Sequence, residues 1–139
     1  MKELILVALG GMLVVVGACH KPITTAEDMA LNAFTGSWEL RQSVGGFAGT
    51  ITYQPGNGNT IEYKSDRSYK VSGNNFVQEG QYHLAGTSRA GDWWIMRQYT
   101  VNNQAFSSKD SVRIQEGKLV FLPSANCCDI ATIFYERIH

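Results

Sequence analysis

From Gly36 to the C terminus no stretch of this chain keeps a sustained helical apolar period; short β-rich runs alternate with turn residues instead. That pattern commits the region to an all-β fold. Runs at 38–44, 50–54, 60–64, 68–72, 76–84, 92–101, 110–116, 118–123 and 131–138 predict eight or nine strands. Within them the faces separate: Trp38, Leu40 and Val44 oppose Glu39, Arg41 and Ser43, and Phe76, Gly80, Tyr82 and Leu84 oppose Val77, Glu79, Gln81 and His83. The links are short and rich in glycine and asparagine, as at 45–49, 55–59, 73–75 and 116–118. Links that short join antiparallel strands, because parallel neighbours need long crossovers. A sheet of this many strands removes its exposed edges by closing, which predicts a single up-and-down barrel of about eight strands. Such an interior is either filled by side chains or holds one small ligand. The same spacing also permits a β-sandwich.

The first 34 residues read differently. Lys2 and the amino terminus precede an uncharged apolar segment from Leu4 to Val16. Roughly 13 residues suit the core of an export signal and are too few to cross a bilayer core of about 30 Å. Val16-Gly17-Ala18-Cys19 follows and resembles the lipobox of bacterial lipoproteins, in which the cysteine is acylated and the chain is cut just before it. Several acyl chains anchor a protein stably where one does not. The division expected is a signal peptide over 1–18, a lipidated tether with a short helix over 19–34, and the barrel domain over 35–139. His20, rather than aspartate, follows the cysteine, which leans toward the outer membrane of a cell envelope and leaves the leaflet open. Thr24 with Glu27 predicts a capping box for the helix, and Met29 with Ala33 an apolar stripe beside Ala30 and Phe34. So short a helix is marginal alone and needs a surface to lie on.

Gly36-Ser37-Trp38, opening the first strand, resembles the Gly-x-Trp signature of the lipocalin superfamily. The order that follows is Gly-Gly-x-Ala-Gly at 45–49, Tyr63-x-x-Asp66, Gly80-x-Tyr82, Cys127 with Asp129, and Tyr135-x-Arg137. Over residues 35–138 it resembles small bacterial lipocalin-like lipoproteins. Arg67 and Ile130 stand where that pattern has glycine, and the doubled Cys127-Cys128 is a further departure. The resemblance implies that the Trp38 indole lies at the closed end of the barrel with Arg137 packed across it, a contact worth about 0.5–2 kcal/mol. The alternative is a plain core tryptophan and a solvated arginine.

Acidic and basic residues balance at 12 each, and no basic stripe stands out, so nucleic acid is not an expected partner. No phosphate loop, His-Glu-x-x-His helix or Cys-x-x-Cys pair occurs, and no cofactor or metal is expected. Gly86-Thr87-Ser88-Arg89-Ala90 lacks the second glycine and the following helix of a serine-nucleophile elbow, so no enzyme activity is expected. His83 falls on a polar face and reads as solvated. Cys127 and Cys128 are neighbours in sequence, which leaves buried free thiols or an intermolecular disulfide.

The aromatic residues Tyr82, Trp93, Trp94 and Tyr99 are candidates for lining a pocket, with Trp93 and Trp94 on opposite faces of one strand. The function expected is a membrane-anchored, non-catalytic module holding a small apolar or amphipathic molecule. Its rival is a structural or protein-interaction lipoprotein of the envelope with a solid barrel. An aromatic-lined cavity favours the first; a filled interior with a large outer apolar patch favours the second.

Overall fold

The computed structural model describes residues 25–123 and 131–139. The leader, Cys19, Cys127 and Cys128 lie outside the described residues. A short helix, α1 (Ala26–Phe34), leads into nine strands: β1 (Gly36–Val44), β2 (Thr50–Thr52), β3 (Thr60–Tyr63), β4 (Ser68–Gly73), β5 (Phe76–Gly86), β6 (Asp92–Val101), β7 (Gln104–Gln115), β8 (Lys118–Leu122) and β9 (Thr132–Ile138). All neighbours are antiparallel, and β9 returns to pair with β1, so the sheet closes. Strands β2 and β3 both pair with β1, at Gln42–Val44 and Gly36–Glu39 respectively, and together occupy one position in the ring. The fold is an eight-position closed barrel, and the sandwich alternative is set aside.

Between β2 and β3 the chain loops outward and is stitched back to β1. The Gly56 amide and the Arg41 guanidinium both donate to the Glu39 carboxylate, and Asn57 donates to the Leu40 carbonyl at 2.8 Å. The Gly56 amide, with Arg41, holds the Glu39 carboxyl below its ordinary range.

Two expectations about faces need correction. A bulge between Leu40 and Gln42 shifts the pairing with β9, so Ser43 rather than Val44 continues the inward row, and Val44 is exposed. The helix is capped one residue later than the sequence suggested. Thr25 accepts from the Asp28 amide at 3.1 Å, and Asp28 accepts in return from the Thr25 amide at 3.0 Å. Glu27 is freed by that shift to pair with Arg67 at 2.8 Å. The buried helix face is accordingly Ala30 and Phe34, while Met29 points to solvent.

The strands alternate in direction, so one end of the barrel gathers α1 and the turns at 64–67, 87–91 and 116–117. The other end gathers the links β1–β2, β4–β5 and β6–β7, together with the end of β8 and the start of β9. Helix α1 lies across the first end and plugs it with Phe34, which packs with Trp38, Tyr63, Tyr82, Leu84, Ile95, Val112 and Leu119 in one buried cluster. Gly36 shows why the motif there begins with glycine. Its φ is +137°, and a Cβ would collide with the Arg137 guanidinium. Gly80 is likewise required, because a Cβ there would run into the Gln98 carbonyl oxygen of the paired strand.

Candidate functional site

Closure of the plugged end begins with backbone left over at the helix terminus. The last carbonyls of a helix have no partner within it. Here the Trp38 indole donates to the Phe34 carbonyl at 2.8 Å, and Arg137 donates to the Thr35 and Ala33 carbonyls at 2.6 and 2.7 Å. The Arg137 guanidinium carbon lies 4.3 Å from the Trp38 ring centroid. One cation thus covers an indole face and finishes a helix, and the positive charge suits the negative end of the helix dipole.

Above this plug the interior turns polar. Tyr63 and Tyr82 meet edge to face at 4.8 Å, and Tyr69 lies 6.2 Å from Tyr63. Tyr82 donates to the Lys64 carbonyl at 2.9 Å, and Tyr69 accepts from Gln78 at 2.9 Å. The Tyr63 hydroxyl is fully buried and has no protein partner. Pairing of β6 with β5 and β7 sets Trp93, Ile95, Arg97 and Tyr99 in one inward row, facing Val112, Asp110, Ser108 and Phe106. Arg97 donates to Asp110 at 2.7 Å and lies between the Tyr69 and Phe121 rings, 5.9 and 5.7 Å from their centroids. Burial opposes the Arg97 charge, but Tyr63 and Asp110 outweigh that and leave it more basic than usual. Burial also raises Tyr63, Tyr69 and Tyr135 above the ordinary phenol value. Arg97 Nε and the Ser108 hydroxyl are buried without a hydrogen-bond partner.

Beyond this layer the barrel opens. Tyr99 and Phe106 stack at 5.8 Å, and a mouth cavity of about 350 Å³ is lined by Leu40, Val71, Phe76 and Tyr135 among others. A broader depression of about 610 Å³ runs along Gly80, Tyr99 and Phe106, between polar neighbours such as Glu79, Gln81 and Ser107. None of the unpartnered polar atoms lines either of these cavities; those of Tyr63, Arg97 and Ser108 lie deeper in the barrel. The site with chemical character is the interior: apolar and aromatic toward the mouth, with a charged pair and unpaired hydrogen-bonding atoms beneath.

The four aromatics singled out from the sequence are not brought together. Tyr82 and Trp93 belong to the plugged half, and Tyr99 stands near the mouth. Trp94 faces outward, with the Lys109 ammonium 4.3 Å from its ring centroid. His83 is exposed on the outside, 3.4 Å from Arg67. Sequence reading missed Tyr63, Arg97, Ser108 and Asp110. Arg97 shares a face with Trp93 and Tyr99 by alternation, and the pairing of β6 with β5 and β7 shows that this face points inward. Ser108 was missed because β7 starts six residues earlier than expected, at Gln104 rather than residue 110; Asp110, at the start of the expected run, had no inward partner to mark it until the register with β6 was known. The sign of that start is Asn102-Asn103, both with positive φ, as a two-residue hairpin turn of type I′ requires. Among the described residues no group of three or more histidines, cysteines or carboxylates could hold a metal ion, and no helix is long and apolar enough to cross a membrane. Comparison with protein-family models, with curated proteins and with solved structures finds no match.

Proposed function

We propose that this chain is a lipid-anchored binding module of the bacterial envelope, acylated at Cys19 and held at the outer membrane. Its lipocalin-like barrel takes up one small amphipathic molecule without converting it. The observation that carries this reading is the set of unpartnered interior atoms: the Tyr63 hydroxyl, Arg97 Nε and the Ser108 hydroxyl. Buried polar groups are normally satisfied, and each one left bare costs about 1–3 kcal/mol. A bound head group that accepts from Arg97 and exchanges hydrogen bonds with the two hydroxyls removes that cost. Asp110 already balances the Arg97 charge, so the head needs acceptor atoms and no net charge of its own. The apolar body of the ligand lies toward Leu40, Val71 and Phe76 at the mouth. A solid structural barrel, the rival reading, has no use for polar atoms left bare at its centre.

Mass spectrometry of protein extracted from native membranes tests both halves. The expected result is an acylated N-terminal Cys19 and a retained small molecule. Arg97→Met weakens that retention tenfold or more, as the loss of a charge-assisted hydrogen bond of about 1.5–3 kcal/mol requires. A native protein that carries neither acyl chains nor ligand sinks the proposal.

A further inference from the structure

The large apolar side chains that remain exposed are not scattered. Val44 and Ile51 flank the β1–β2 link and Phe47 stands at its tip; Phe76 and Val77 follow the β4–β5 turn; Val101 and Phe106 flank the β6–β7 turn. All seven lie at the open end. Among the described residues only Met29 lies elsewhere. Phe47, at 95% exposure, touches almost nothing of its own chain. The same segments carry no charge: residues 42–61, 71–78 and 98–108 contain no Asp, Glu, Lys or Arg. The β8–β9 link falls mostly outside the described residues. The plugged end is the reverse, with Lys64, Asp66, Arg67, Arg89, Glu116 and Arg137 in or beside its turns.

We infer that the three uncharged tips at 42–61, 71–78 and 98–108 form a lipid-docking surface, by which the open end seats on the headgroup region of a membrane. A protein partner draws its specificity from charged and polar pairs, and a surface built for one has no reason to keep ionised groups out of all three tips. Contact with a bilayer does impose that exclusion, because charge entering the low-dielectric boundary is penalised at each position. Phenylalanine, valine and isoleucine at separate hairpin tips enter the acyl boundary as independent anchors. The Asn, Gln, Ser and Thr side chains between them keep hydrogen bonds with headgroups and water. Three described tips around an open mouth also make a poor face for a second copy, which needs a continuous self-complementary patch. The inference stands whether or not the interior holds a ligand. If it does, the rim gives an amphipathic molecule a path from lipid to barrel that never crosses water.

The test uses the full chain in phosphatidylcholine nanodiscs. An indole is placed at the rim by Phe47→Trp or at the opposite end by Met29→Trp, and native tryptophan emission is subtracted. Acyl-brominated phosphatidylcholine is supplied either in the nanodisc or in added vesicles. Quenching of the Phe47→Trp indole, with a blue shift, in either arrangement and not of the Met29→Trp indole supports the inference. Adding Val77→Lys, on an exposed outward position, lowers that partitioning at least fivefold. Quenching of the Met29→Trp indole alone, quenching of neither, or a concentration-dependent blue shift without quenching (the mark of a mouth-to-mouth dimer) overturns it. Arg97→Met leaves rim quenching unchanged, so loss of ligand and loss of docking are separable results.

Discussion

The two ends of this barrel are made from the same strands and differ in almost every other respect. At the plugged end, Trp38, Phe34, Leu84 and Leu119 are essentially inaccessible, a helix lies across the opening, and an arginine satisfies the helix's last carbonyls. Charged residues fill its turns. At the open end the β1–β2, β4–β5 and β6–β7 links are uncharged, with their phenylalanines and valines in solvent, and polar atoms just below lack partners. Stability comes from removing apolar surface from water, at about 25 cal/mol per Å². The plugged end has done this and the open end has not. A fold that leaves both costs at one end has separated the part that holds it together from the part that stays exposed.

That division predicts a steep gradient of mutational cost. Trp38→Ala, which empties a fully buried site, is expected to lose about 3–5 kcal/mol in urea unfolding, whereas Phe47→Ala changes stability by no more than about 0.5 kcal/mol. Equal losses at the two positions break the comparison. Arg137→Met removes the ring contact and two carbonyl hydrogen bonds and costs about 1–2 kcal/mol, with faster hydrogen exchange in α1. If exchange rises instead in the β6–β7 hairpin, the plug is not where the comparison puts it.

Tyr63→Phe sharpens the picture from inside. It removes an unpartnered buried hydroxyl and stabilises ligand-free protein by about 1 kcal/mol, while weakening ligand retention. The same residue bears on alkaline behaviour. Tyr63, Tyr69, Tyr82 and Tyr135 all have folded-state values raised above 10.0, chiefly by burial. Their contribution to stability is complete below that value and lost as the pH rises through the raised ones. Unfolding followed by tyrosinate absorbance and circular dichroism is expected to set in above pH 10.0, less steeply in Tyr63→Phe. Smallest is Phe106→Leu, which gives up a stack with Tyr99 at the half-exposed mouth for about 0.5 kcal/mol in thermal unfolding.

Much of the plugged end was legible in the sequence. Gly36-Ser37-Trp38 and Arg137 pointed to it because a backbone that tolerates only glycine and a ring that wants a cation both leave residue-type signatures. Eight of the nine strands started within two residues of where alternation placed them. The open half was harder to read. A bulge at Arg41 inverted the parity of everything after it in β1 and misplaced Val44, and no residue type announces such an insertion. Asn102-Asn103 was a turn signal without glycine, and missing it left Ser108 outside the expected strand and Asp110 at its first position. The pairing of Arg97 with Asp110 followed from the register of two strands once β7 had its true length. Tyr82, Trp93, Trp94 and Tyr99 are pocket candidates by residue type alone, but the face and the position along the barrel axis of each are set by strand pairing rather than by composition.

One feature of the ring also governs how the molecule comes into being. The strand that shuts it, Thr132–Ile138, bonds to β1 almost a hundred residues earlier in the chain and brings Arg137 to α1. Until β9 pairs, β1 and β8 have bare edges and the Trp38 indole lacks its Arg137 cover. Closure of the ring is therefore a non-local event, and its loop-closure entropy must be met before the β1–β9 ladder rewards it. Any truncation that spares every other strand but removes this one yields a sheet with two sticky margins rather than a slightly smaller vessel.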